Sequence, residues 1–494
     1  MNMRMNMRRL LLIGLTIVSV SSGGSRIWAQ RGQRGTPPPL PVFKSEEYLL
    51  LGNSNRGAGE PMIAVDPVDP KNIIAVAMGN LQQPEGKPVV TNGTDAFHHI
   101  TKSTITWLAV THDGGINWEV SELPILSGKL TRCPDSFADV LKDGTFIAGC
   151  EPRETMTSAP DFFGMSALMI SRDHGKTWGP VVQLISDYQL NRFAPGLRPV
   201  SGGFPKGSAT RVASNSPWDR PFTFIDDSTG TIYAQAGGGQ AYTDAKESER
   251  RSQAYLTAST DGGKSFGTIY SWDSPQYPQS SRGTGMGAAG GAVVVNYVAS
   301  SVPASESATC PCPVWGVSKD RGKTFTYHVL KNLISAGRTT GGPLATDQTK
   351  PGRFAMLLNQ GPKYSVTVTE DFGQTWSPIV DIATVPDSTG STKPAIDFSR
   401  DGVLGLMWRA LYADGSYDVW AVTSKDSGKT FSKLLRVSHA KSPARDAYRN
   451  GGLFGDDIQD LSMDKVNMHL VWGDSRAGFQ GVWYGRVKLA DFEF

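Results

Sequence analysis

Long apolar runs are missing from almost all of this 494-residue sequence. Beyond residues 10–20 nothing approaches the roughly 20 uninterrupted apolar residues that cross a bilayer, so no membrane span is expected after that point. A dominant charge is missing as well. The 49 Lys and Arg against 46 Asp and Glu leave a net charge of +3, and no basic block interleaved with aromatics tracks a phosphate backbone, which argues against a nucleic-acid partner. Cysteines number only 4, and the spacing of Cys310-Pro-Cys312 does not make a four-ligand zinc site. The pair His98-His99 has no clear third ligand, so no metal and no cofactor are expected.

What the chain has is Gly 55, Pro 31 and Trp 12, a composition that suits many short strands joined by tight turns and points to an all-β chain. At the N-terminus, Arg4, Arg8 and Arg9 precede the apolar residues 10–20, and Ala29 offers a small residue for cleavage. Residues 1–29 therefore read as a signal peptide, and the protein as secreted or periplasmic. Residues 30–44, rich in Pro, Gly and Arg, read as a flexible leader, and residues 45–494 as one domain. In an exported protein, Cys133 and Cys150, which flank the turn at Asp143-Gly144, are candidates for a disulfide. Cys310 and Cys312 form either a local disulfide or two free thiols.

Internal repetition carries more information than any single residue. The pattern Ser/Thr-x-Asp-x-Gly-x-Thr-Trp/Phe occurs six times, with its aspartate at Asp113, Asp173, Asp261, Asp320, Asp371 and Asp426. A short strand runs into each copy and the aromatic begins another, so each copy reads as a hairpin turn. The carboxylate accepts backbone N–H groups, Gly supplies a positive φ, and the aromatic wedges between neighbouring sheets. Six aspartates in six separate repeats cannot converge on one substrate, so their expected role is structural. A second kind of hairpin lies upstream in each repeat, and its turns, from Asp66-Pro67 to Asp464-Lys465, number seven.

The six-fold pattern resembles the Asp box, or BNR repeat, of the sialidase superfamily, and the resemblance extends as architecture over most of residues 45–490. It implies a β-propeller. The seven upstream hairpins favour seven blades, with Tyr48-Leu-Leu-Leu51 supplying the strand missing from the last one. Six blades, as in the catalytic domain of sialidases, is the alternative. The long connections then gather on the face opposite the Asp boxes, where binding and chemistry are expected.

Arg132, Arg220, Arg282 and Arg338 precede the innermost strands of four successive repeats and are expected to point toward the axis, a suitable clamp for a carboxylate. Sialidases hold the substrate carboxylate with three arginines and use a Tyr nucleophile assisted by a Glu, with an Asp as acid/base. The resemblance suggests Tyr448 or Tyr242, Glu151 or Glu247, and Asp135, Asp95 or Asp456 for these roles. The early Phe/Tyr-Arg-Ile-Pro motif of sialidases is missing. Two functions follow: a glycoside hydrolase acting on acidic or other glycans, or a non-catalytic propeller that binds a glycan or a protein. A monomer is expected in either case.

Overall fold

The computed structural model describes residues 43–81, 104–126, 130–154, 165–186, 218–238, 253–272, 274–279, 285–338, 341–360, 363–443 and 458–494. The expected signal segment and nearly all of the expected leader lie outside them.

Among the described residues seven antiparallel sheets of four or five strands follow one another along the chain, beside one two-stranded ribbon, and in all but the last of the seven the strands pair in sequence order. Blade 1 begins at Arg56–Val65, blade 2 at Phe137–Val140, blade 3 at Thr223–Asp226 and blade 4 at Gly285–Ala289. Blade 5 begins at Leu344–Thr346, blade 6 at Gly390–Phe398 and blade 7 at Asp460–Met463. These seven innermost strands surround a single axial cavity. The fold is a seven-bladed β-propeller, and six blades are excluded.

Ring closure uses the N-terminal strand Ser45–Leu51. It pairs antiparallel with Gly481–Lys488, Tyr48 opposite Tyr484, and so becomes the fourth strand of blade 7. Arg476 strengthens the join: its guanidinium bonds both carboxylate oxygens of Glu47, donates to Asp474 Oδ2 at 2.9 Å, and stacks 3.9 Å from the Trp483 ring. Closure in this way removes the exposed sheet edges that an open ring would leave.

The second strands fill the interior. Ile73, Ile74, Ala75, Val76 and Ala77 are fully buried in blade 1, because both faces of this sheet meet a neighbouring blade. The six repeated turns hold the blades together from one face. In each, the first hydroxyl donates to the aspartate Oδ1 at 2.7–2.8 Å. That oxygen also accepts the backbone N–H four residues on at 2.8–3.0 Å. Oδ2 takes that residue's side chain at 2.6–2.7 Å. With its oxygens engaged by donors, the carboxylate is held in its charged form. Asp173, bonded chiefly by the Thr177 hydroxyl, and Asp261, bonded chiefly by that of Ser265, are lowered to about 2.

The turn glycine does two things. Its φ lies between 77° and 89° in all six copies, and a Cβ there would strike the third strand of the preceding blade. At Gly373 the obstacle is the Trp315 indole, and at Gly175 it is Val110. The aromatic that follows wedges into the same seam: Trp376 meets Trp315 edge-on with centroids 4.9 Å apart, and Trp118 meets Tyr484 at 5.2 Å.

Candidate functional site

The upstream hairpins and the repeated turns share one face; Gly114 of the first repeated turn donates to Lys71 O of the first hairpin at 2.9 Å. The innermost strands therefore begin on the opposite face, and four of them begin with the same irregularity. Gly59 pairs with Met78 but Met62 with Val76, and Thr392 pairs with Arg409 but Ala395 with Met407. Asp219 pairs with Gly237, and Phe222 O then accepts Gln235 N at 2.9 Å. In blade 2, Pro134 O accepts Glu151 N at 2.9 Å, and Phe137 then pairs with Gly149.

Each is a one-residue bulge, and at each a charged residue has left-handed φ: Glu60 at 50°, Asp135 at 51°, Arg220 at 58° and Lys393 at 52°. All four stand six positions before the last residue of the strand's hairpin turn entry, at Asp66, Leu141, Asp226 and Ser399. Non-glycine residues seldom adopt this conformation, and a bulge re-aims the side chain it carries. Such strain concentrates at functional sites. Two or three residues further along each strand the channel-lining stretch begins, so the four positions stand toward the end of the channel opposite the turns.

Behind two of the bulges the second strand contributes a buried charge. Glu151 lies across from Pro134, and Arg409 across from Thr392. Arg409 Nε donates to Gln459 Oε1 at 3.0 Å, and its guanidinium lies 4.6 Å from the Tyr417 ring centroid. Cys133 and Cys150 are joined, with Cα atoms 5.5 Å apart, so this disulfide links the two segments that carry Asp135 and Glu151. Thr106 Oγ1 of blade 1 braces the same corner, 3.3 Å from Cys133 O and 2.9 Å from Ser136 Oγ. Cys310 and Cys312 are also paired.

Below the mouth, the cavity measures about 250 Å³. At its far end Arg400 of blade 6 bonds Asp227 of blade 3 across the axis. Gln348 of blade 5 donates to Ile225 O at 2.7 Å and Ala288 O at 2.9 Å, and accepts Asp227 N at 3.1 Å. These ties span the turn-face end of the channel.

Of the residues singled out by the sequence, Asp135 and Arg220 occupy bulge positions on adjacent blades, and Glu151 lies buried across from the blade 2 bulge. Arg132 lies in the strand Leu130–Arg132, which pairs with Arg153–Glu154; its side chain is outside the description. Arg282, Tyr448, Tyr242, Glu247, Asp95, Asp456 and His98-His99 fall outside the described residues. Arg338 does not point to the axis. Its Nη2 donates to Ser365 Oγ at 3.0 Å and lies 3.7 Å from Asp381, on the third and fourth strands of blade 5. The cause is the short helix Lys331–Ser335, which ends at the left-handed Gly337 and turns the following residue outward.

Glu60, Lys393 and Arg409 were not singled out by the sequence. A signal for the first two exists: Glu60-Pro61, Arg220-Pro221 and Lys393-Pro394 occupy the same register, a charge before a proline at the entry of an innermost strand.

The described residues thus define a seven-bladed propeller with an axial channel. No protein-family model matches the chain, and no curated protein matches it. Among solved structures it is similar to the Hadza microbial sialidase Hz136, at 15% identity and TM-score 0.44, over 92% of this chain and 98% of that one. It is similar to the NanB sialidase from Streptococcus pneumoniae, at 10% identity and TM-score 0.45, over 92% and 96%. It is also similar to the α-L-arabinofuranosidase Arb93A from Fusarium graminearum, at 11% identity and TM-score 0.43, over 89% and 96%. Residue roles are accordingly read from this chain alone.

Proposed function

We propose that the protein is an exported Asp-box propeller that hydrolyses a glycan at the channel mouth, on the face opposite the boxes. The observation that carries this reading is the set of four matching bulges, which carry Glu60, Asp135 and Arg220 on three successive blades and Lys393 on blade 6. Cleavage of a glycosidic bond needs two carboxyl groups, one to protonate the leaving oxygen and one to act as base or nucleophile. Neighbouring innermost strands supply such a pair. Asp135 and Glu60 are the two carboxyls that this reading assigns to the acid and base roles. Arg220 and Lys393 suit an acidic sugar, whose carboxylate takes up a guanidinium or ammonium. Export accords with the basic and apolar N-terminal pattern and with two paired cysteine sets.

A panel of fluorogenic glycosides, including uronic and nonulosonic acid glycosides, tests this. Release of fluorophore by the wild-type protein and its loss in Asp135→Asn and Glu60→Gln are expected. A binding module is the second reading, favoured by the absence of the early arginine motif. Retention of a glycan on an array, with no hydrolysis anywhere in the panel, would select it.

A further inference from the structure

The axial channel contains a second cluster of carboxyls, for which glycan chemistry at the mouth has no use. Asp139 belongs to blade 2, Asp397 to blade 6 and Asp460 to blade 7, and each reaches the innermost strand of the next blade. Asp460 Oδ2 accepts Ile63 N of blade 1 at 3.0 Å, across the seam where the ring closes. Asp397 Oδ2 accepts Met463 N of blade 7 at 3.1 Å. Thr223 Oγ1 of blade 3 lies 3.4 Å from Asp139 Oδ2. We propose that these three carboxyls form a pH-sensitive clasp, which holds the ring tightest while they are protonated and loosens it as they ionise.

Physical surroundings support this. The three side chains are half-buried in the wall of the channel, so ionisation places charge in a confined volume of about 250 Å³. Burial pushes Asp139 up to about 7, with the Val140 N–H opposing and the nearby Asp227 adding to the rise. Burial and then the charge of Asp460 push Asp397 up to about 8. Burial pushes Asp460 up to about 7, against the Ile63 N–H. The charged groups lining the channel are these three, Asp227 and Arg400. Blades 1, 4 and 5 face it with Met62–Val65, Met286, Ala288, Leu344–Thr346 and Gln348, which carry no charge. Full ionisation therefore sets four carboxylates against one guanidinium.

The sign follows from linkage. These groups bind protons more tightly in the folded ring than in the unfolded chain, where a carboxyl titrates near its ordinary 3.8. Their contribution is fully present below about pH 4 and is lost as pH rises through about 7 to 8. The repeated-turn aspartates, whose acidity is shifted the other way, do not titrate in that window.

The test is the melting temperature of the full-length protein between about pH 5 and pH 9, for wild type and for the triple variant Asp139→Asn/Asp397→Asn/Asp460→Asn. Asparagine keeps an acceptor oxygen and removes the titrating proton. The wild type is expected to lose several degrees across this range and the triple variant to stay nearly flat. If the triple variant does not fold, Asp397→Asn alone is compared by urea unfolding at the two ends of the range, with a smaller drop than wild type expected. A wild-type profile that is flat, or variants that fall in parallel with it, would overturn the proposal.

Discussion

The turn face and the bulge face are opposite ends of the same strands, yet they use repetition in different ways. On the turn face six copies share backbone, residues and bonds, from Thr111 to Asp113 through to Ser424 to Asp426. On the bulge face four copies share only the backbone, and its left-handed position carries Glu60, Asp135, Arg220 and Lys393 in turn. A scaffold needs the same clasp at every seam. A binding site needs different groups at fixed positions around one ligand, and the proposed function assigns that part to the bulges. The aspartates divide in the same way: those of the turns are held ionised by donors, whereas those of the channel are driven toward their neutral form by enclosure.

The two faces should respond differently to substitution. The largest effect is expected for Asp135→Asn and Glu60→Gln, which should lower turnover of a cleaved glycoside by about 10²–10⁴-fold with the melting temperature little changed. A variant that melts early with unaltered kcat would move these residues into the scaffold. Next comes the corner where a staple meets the mouth. Cys133→Ala/Cys150→Ala is expected to cost about 2–4 kcal/mol in urea unfolding and to reduce turnover as well, because the disulfide links both carboxyl-bearing segments.

Smaller effects separate the faces more sharply. Asp371→Ala removes the acceptor for Thr369, Thr375 N and the Thr375 hydroxyl, and should cost about 1–2 kcal/mol while glycan affinity stays at the wild-type value. Because its pKa is lowered, that contribution is present above about pH 4 and is lost as pH falls through the lowered value, so acid unfolding of wild type and variant should converge. The smallest change is Lys393→Gly, which relieves the left-handed strain and should stabilise the protein by up to about 1 kcal/mol while weakening retention of an acidic glycan. Isothermal titration and urea curves on the same preparation check both halves of that trade.

The ring was legible in the sequence because its determinants are local. Gly at φ 77–89° beside an Asp with a hydroxyl two residues earlier is a turn wherever it occurs, and the seven upstream turn signals count the blades correctly. Tyr48 to Leu51 could be assigned to blade 7 because the seventh repeat lacks a fourth strand after residues 482–487 and this strand stands just ahead of the first repeat. The site was legible only in part. Arg220 was selected by its position before an innermost strand and stands at a bulge, but the same criterion selected Arg338, which bonds Ser365 on the third strand of blade 5; Asp135 and Glu151 were suggested by the resemblance alone. Glu60 and Lys393 escaped because a bulge is a property of strand register, seen only once Met62 pairs with Val76 and Ala395 with Met407, and the charge-before-proline signal acquires its meaning from that register.

The claim that the bulge face holds the ligand is tested most directly by hydrogen exchange on the protein with and without a glycan retained on an array. Slowed exchange is expected in the segments around Glu60, Asp135, Glu151, Arg220 and Lys393, with the six repeated turns unchanged. Slowed exchange confined to the turns, with the bulge segments unaffected, would contradict it.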